Sequence, residues 1–505
     1  MTLTIPGLPT SLARDAWWLD ATPPEAAGPQ ERGATSRLPR IAALLLLVAL
    51  ADLLFWDHDL GVSTAIFALA IFAAATAGIR PRQALWRPTL LLIIAAAPVV
   101  DHVQPLSLAF LGAGLCAALV WARKPDTPAA ALTALAAAFL GRLPGRWLRA
   151  LNPAGAVRGL AASQGALTGP ASRALIREWA FPLAGTLVFA ALMMQANPVL
   201  ARVLDIDIDL WTAISRAMFW TAAAVFVTPF LAPDMPAPAQ LPRLGTLPLA
   251  QAGFNAGSVL RALVLFNLMI GVQSLTDLSI LVGGASLPDG MTFAEYAHRG
   301  AYPLLATALL AGAFALAARP FLGEHRAIRP LLLLWLAQNM VLCGAAMLRL
   351  EQYIGAFGLT YLRIYALIWM ALVAAGLGLV FWQVVRGRSN PWLFARTAMM
   401  ALATLYACAF VNFAHVIAAQ NLSAESTDLQ YVCDLGPMAQ GAVLDAIQVR
   451  PRTDFLRRAQ QTGVCDALRG IRISGWQEWG FRSGRVARYS DRVDTGYRAP
   501  MKILP

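Results

Sequence analysis

The sequence predicts an all-α fold: a polytopic membrane helix bundle of about eleven transmembrane helices, with a cytoplasmic N-terminus and a small extracytoplasmic C-terminal domain. Three observations predict it. First, 58% of the 505 residues are apolar and only 13% are charged, where a soluble domain carries about 25% charged residues. Mean hydropathy is +0.58. Second, apolar runs near the length of a bilayer crossing recur along the chain. Third, the segments between those runs alternate in charge. The net charge of +12 comes almost wholly from arginine, since Lys124 and Lys502 are the only lysines. Cytoplasmic arginine explains such a balance in a membrane protein, so no nucleic-acid partner is expected.

Residues 1–40 are polar and rich in proline and read as a disordered cytoplasmic tail, with one interfacial turn at Trp17-Trp18. No cleavable signal peptide is expected, because the first apolar run leads straight into further spans. The expected spans are 41–56, 61–79, 89–104, 106–122, 180–201, 211–232, 259–283, 302–318, 330–349, 362–382 and 395–417. The first and third are short. Residues 41–122 form two hairpins. Asp57-His58 recurs 44 residues on as Asp101-His102, and Arg80-Pro81 recurs as Lys124-Pro125 at the same offset. Either a tandem repeat or apolar low complexity produces that pattern. The Ala-rich run 129–141 is too short to span and is expected at the surface.

Residues 123–179 are a basic cytoplasmic segment, with eight basic residues between Arg123 and Arg177. Trp147 beside Arg146 and Arg149 suits anionic lipid headgroups at the cytoplasmic face, and an ordinary topology-setting loop explains the charges equally. The other inner segments carry Arg80, Arg82, Arg87, Arg243, Arg319, Arg326, Arg329, Arg386, Arg388 and Arg396. The outer loops carry Asp57, Asp59, Asp101, Asp205, Asp207, Asp209, Asp289, Glu295 and Glu351 instead. Every alternate loop agrees with the positive-inside rule. The bilayer is thus the expected partner, and the expected place is a bacterial inner membrane.

Residues 180–417 form a seven-helix core, and its polar groups gather near one stretch, Phe266 to Tyr302. On a helical wheel Asn267, Gln273, Ser274 and Asp277 fall within an arc of roughly 120°. A polar stripe on an apolar helix should face protein or water, because a charge at the bilayer centre costs about 2.5–3.5 kcal/mol. The chain leaves that helix at Gly283-Gly284. Thr292 and Glu295 then match a capping box that starts a short surface helix carrying Tyr296, His298 and Arg299. Candidate partners on later spans are Gln338, Asn339, Arg349, Arg363, Asn412 and His415. This polar centre reads either as an outward-facing cavity or as structural hydrogen bonding between helices.

The Asp57-His58-Asp59 and Asp101-His102 corners offer ligand types suited to a divalent metal, but short solvated turns account for them as well. No cofactor is expected. Cys116, Cys343 and Cys408 lie in apolar runs as small hydrophobes. Residues 418–505 read as a small soluble domain with helices near 425–433, 437–448 and 453–468. Trp476, Trp479 and Phe481 are its expected apolar nucleus. Cys433 and Cys465 can pair there if the domain meets an oxidising compartment.

From MTFAEYAHRGAYPLLATALLAGAFAL, through LAQNMVLCGAAMLRLEQYIGAFGLTYLRIYALIWM, to VNFAHVIAAQNL and DLQYVCDLG, the chain resembles two bacterial membrane families. These are catalogued as domains of unknown function 4173 and 4153. The resemblance covers residues 255–440 and leaves the first four spans outside. Phe357 stands where Tyr is usual, and Asn412-Phe413-Ala414-His415 replaces an Asn-x-Asp step. The resemblance implies an integral membrane protein and no particular activity. No Walker loop, dinucleotide fingerprint, G-x-S-x-G or cysteine cluster is present. Three roles remain: an anchoring, sensory or assembly protein of the cell envelope, a transporter or channel using Asp277, or an outer-leaflet enzyme acting on a lipid-linked substrate.

Overall fold

Apolar runs punctuated by Pro, Gly, Ser and Asn fold as helices joined by short corners. In the computed structural model the described residues are 38–79, 82–151, 209–231, 255–281, 293–423, 428–449, 465–468 and 470–496, with scattered positions from 182 to 196. Residues 1–37 of the expected disordered tail, most of the 180–201 span, the Gly283-Gly284 turn and Asp205, Asp207, Asp289 and Thr292 lie outside them. Among the described residues every regular element is helical. The N-terminal helices are α1 (Leu38–Phe55), α2 (Val62–Thr76), α3 (Trp86–Asp101), α4 (Pro105–Arg123), α5 (Ala129–Leu151) and α6 (Leu210–Leu231). There follow α7 (Ala256–Leu281), α8 (Phe293–Ala318), α9 (Ile328–Phe357), α10 (Tyr361–Arg386) and α11 (Asn390–Ala409). The tail holds α12 (Phe413–Ser423), α13 (Leu429–Asp434), α14 (Gln440–Val449) and α15 (Phe481–Gly496).

Seven of these helices are long and apolar enough to cross a membrane, against the eleven spans expected. They run over Pro105–Arg123, Trp211–Leu231, Ala256–Asp277, Ala306–Gly323, Ile328–Phe357, Tyr361–Arg386 and Asn390–Ala409. Helix α2 is apolar but has only 15 residues, and α3 has 16.

Three expectations change. The short surface helix at Glu295 and the span 302–318 are one helix, α8, of 26 residues. The Ala-rich run is the first half of a 23-residue helix, α5, which carries Leu132, Leu135, Phe139, Leu143 and Arg146 along one buried edge. Residues 395–417 break after Ala409, where Asn412 Oδ1 accepts the His415 N–H at 3.2 Å and starts α12. Asn412 caps the new helix because its short side chain reaches the third amide on.

The chain divides into two compact units. The first contains residues 1–57, 67–84 and 119–236. In it α1 and α6 meet through Asp52, which takes the Arg216 guanidinium and the Trp220 indole N–H. Arg146 of α5 donates to Pro229 O at 3.3 Å, and Trp147 stacks on Phe226.

The second unit contains residues 58–66, 85–118 and 237–505. Its core joins α7, α8, α9 and α10. Ala308, Ala311, Ala315 and Ala318 place a small-residue stripe on α8, each at most 1% exposed. Lipid tails are as apolar as leucine, so close packing of such small residues, rather than water exclusion, draws membrane helices together. Phe266, Phe314 and Trp335 fill the space between, with ring centroids 5.1–5.7 Å apart. At one end of this unit Arg319 meets Asn390 and the Arg388 carbonyl, and Arg329 donates to Val385 O at 2.9 Å. At the other end Gly358, at φ 77°, closes α9, and Asn421 pairs with both backbone groups of Leu359.

Candidate functional site

The polar centre forms between α7 and α9. Asn267 Nδ2 donates to Leu331 O at 3.0 Å, and Asp277 pairs with Arg349 further along. The contacts climb both helices in the same sense, so α7 and α9 run parallel. Gln273 Nε2 donates one turn forward to Asp277 Oδ1 at 2.9 Å. Asp277 is 2% exposed, Arg349 6% and Asn339 0%. The pairing neutralises a carboxylate and a guanidinium that could not be buried singly at tolerable cost. Asn339 Nδ2 donates to Trp335 O at 2.8 Å, one turn back on its own helix. Gln338 lies against Gly271, where a β-carbon would sit 3.5 Å from its amide nitrogen. Asn267 Oδ1, Ser274 Oγ, Trp335 Nε1, Gln338 Oε1 and Asn339 Oδ1 are buried without a hydrogen-bond partner among the described residues.

Of the polar-centre candidates, Asn267, Gln273, Asp277, Gln338 and Arg349 come together in this seam, and Asn339 is buried on α9. Three other candidates with described side chains, Arg363, Asn412 and His415, make their contacts elsewhere. Arg363 donates to Phe357 O at 2.8 Å and lies over the Tyr353 ring, so it seals the end of α9. Asn412 Nδ2 donates to Met438 O at 2.9 Å in the tail, and His415 is exposed on α12. Glu295, Tyr296, His298 and Arg299 fall on the first turns of α8, and their side chains lie outside the described residues.

A second cluster forms where the tail meets the two Asp-His corners. Residues 474–484 run along both. Glu478 accepts from the Asp59 N–H at 3.3 Å and faces His58 Nδ1 at 3.4 Å. Ser474 donates to the same carboxylate through its hydroxyl and its N–H. The Ser474 bonds, above all that of the hydroxyl, hold the Glu478 carboxyl down at about 2. The Val62 N–H, first in α2, donates to Trp479 O at 2.7 Å. At the other corner Arg482 pairs with Asp101 and donates to Ala409 O at 3.0 Å and Val411 O at 3.3 Å. It thereby satisfies carbonyls left open at the end of α11, where a cation also complements the helix dipole. His102 Nδ1 meets Ser483 Oγ at 3.2 Å.

Glycine makes this approach feasible. A β-carbon on Gly61 would fall inside the backbone of Gln477 and Glu478, and one on Gly480 would sit 3.1 Å from Asp101 O. The residues missed by sequence reasoning are Glu478, Arg482, Ser474 and Ser483. Arg482 stands among many tail arginines, and nothing local distinguishes it. Among the described residues no group of three or more His, Cys, Asp or Glu is placed to hold a metal.

The tail has its own core. Val432, Cys433, Val443, Leu444, Cys465 and Ala467 pack with Ala414 and Ala418 of α12. Cys433 and Cys465 are bonded, with Cα atoms 4.6 Å apart. The expected aromatic nucleus is overturned: Trp476 is 56% exposed, Trp479 41% and Phe481 52%. The backbone of that segment is committed to the helix corners, so its rings turn outward.

A family model described as a domain of unknown function, DUF4153, matches residues 41–446. The match takes in the first four expected spans, which the sequence resemblance left outside, and it is to family 4153, not 4173. No curated protein and no solved structure matches.

Proposed function

The chain belongs to the DUF4153 family, and from that premise we propose that it is a multi-pass anchor of the bacterial inner membrane that presents its C-terminal domain outside. The domain would then serve assembly or sensory contacts in the cell envelope. One observation carries this reading: residues 474–484 engage both Asp-His corners and the end of α11, so the tail is fastened to several helices at once. A domain bound this way is a fixed platform rather than a tethered module.

The proposed orientation agrees with the charges. Corners 57–61, 101–104, 357–361 and 409–412 all bond the tail or flank residues that do, as alternate crossings require. Arg319, Arg329 and Arg388 sit together at the opposite end of their unit, which suits a cytoplasmic face. A disulfide in the tail suits an oxidising compartment. Basic residues of α5 are proposed to meet anionic headgroups on the inner side. The side chains of His58, Asp101 and His102 are spent on the tail, which favours an anchor over an outer-leaflet enzyme.

A second reading, a transporter or channel around Asp277, is supported by the five unspent buried polar atoms of the α7–α9 seam. Complementation of a deletion strain under envelope stress separates the two. An anchor tolerates the paired change Asp277→Leu with Arg349→Leu, which leaves no buried charge alone, and fails when the chain stops after residue 423. Rescue by the truncated chain, with failure of the inserted and stable double variant, would favour transport instead.

A further inference from the structure

We propose that Trp476, Trp479 and Phe481 form an aromatic footing that rests in the lipid interface of the leaflet beside the clasp, the set of contacts that residues 474–484 make with the Asp-His corners and the end of α11. Their exposure is large: 56%, 41% and 52%. Their depth is set by hydrogen bonds to helix ends. Trp479 O holds the first amide of α2, and Arg482 holds the last carbonyl of α11, a helix long enough to cross the membrane. Gln104, just before the membrane-length α4, donates to that same Ala409 carbonyl at 2.9 Å. Residues 476–481 are therefore held level with the ends of two such helices.

Exposed apolar side chains also lie on α11 and at its end, where Arg482 bonds it. Phe410 and Val411 are 40% and 38% exposed beside Arg482, and Leu405 and Leu402 of α11 follow at 48% and 57%. A soluble partner would need this apolar band to end at the helix tips. A bilayer needs it to continue, with indole rings at the boundary and aliphatic side chains below. Arg485 lies 5.0 Å from the Phe481 ring centroid, a cation beside the aromatic segment suited to phosphate. The occupant is therefore phospholipid. This footing depends on α4 and α11 lying in the membrane and not on the platform role, so each stands or falls separately.

The test uses the full chain in native membranes with photoreactive benzoylphenylalanine at position 476, 479 or 481. Exposed Arg472 is the control position. Irradiation should give phospholipid adducts at the three positions at several times the yield at 472. Adducts to another protein, or lipid yields no higher than at 472, would overturn the footing. If a photoreactive chain loses protease resistance in its tail, the conservative Trp476→Phe, Trp479→Phe double variant decides. In phosphatidylglycerol vesicles with brominated chains, the fluorescence these two residues contribute should be strongly quenched. Unquenched emission would equally overturn it.

Discussion

Arg482 pairs with Asp101 across 381 positions, joining the last helix of the tail to the end of α3. The pair is buried, with side chains 5% and 13% exposed, and the same guanidinium holds the carbonyls of Ala409 and Val411. Arg482→Ala removes the partner of a buried carboxylate and the donor to Val411 O, and leaves Ala409 O only its bond from Gln104. Removing one partner of such a pair costs about 3–5 kcal/mol. Limited proteolysis of membranes should cut the Arg482→Ala tail far faster than the wild-type tail. Arg482→Lys should be nearly as fast, because an ammonium cannot span three acceptors in a fixed plane.

Gly61 and Gly480 are required by backbone approach. Gly61→Ala forces the Glu478 backbone away, an overpacking that costs about 1–3 kcal/mol. Gly112 in α4 has nothing within 4 Å of an added β-carbon, so Gly112→Ala should leave tail protection unchanged. Equal loss of protection in both variants would contradict this assignment.

Acid should loosen the corner at His58. The Glu478 carboxyl is held at about 2, below its ordinary 4.5. A depressed carboxyl stabilises the fold fully above the unfolded value and loses that contribution as pH falls through the folded value. Tail protection from this group should therefore hold down to pH ~4.5 and decline toward pH ~2. Glu478→Gln should remove that part of the acid dependence while lowering protection at neutral pH.

The Asp277–Arg349 pair predicts non-additive stability. Asp277→Leu or Arg349→Leu alone leaves one buried charge and should cost about 3–5 kcal/mol in a detergent unfolding assay. The double change, Asp277→Leu with Arg349→Leu, should recover most of the loss. Additive losses would show that the two groups do not act on each other.

Reduction of Cys433–Cys465 should destabilise the tail. The bond closes 32 positions, which in the chain-entropy model stabilises by about 3–4 kcal/mol. Thermal unfolding with and without reductant measures the difference, and identical midpoints would contradict it.

The helical bundle was legible because lipid demands long apolar helices whose periodicity is visible locally. The seam was legible for the same reason: Asn267, Gln273 and Asp277 share one face of an otherwise apolar helix. Arg363, Asn412 and His415 were drawn into it because depth can be read from loop charges, whereas azimuth around the bundle cannot. Arg363 and Asn412 proved to serve helix ends, and His415 to be exposed. Trp476, Trp479 and Phe481 resembled a core because aromatic residues in a short domain usually pack inward. The clasp was invisible because its pairs join positions some 380 to 420 apart, and no pattern within either strip announces the other.

Amide exchange at residues 58–66 tests the clasp most directly, since the Val62 N–H is held by Trp479 O. The full chain in lipid should be compared with a chain ending after residue 470. Loss of the tail should speed exchange of Val62 at least ~10-fold, the factor that corresponds to about 1.4 kcal/mol. Unchanged exchange at Val62 would mean that the tail does not grip the corners.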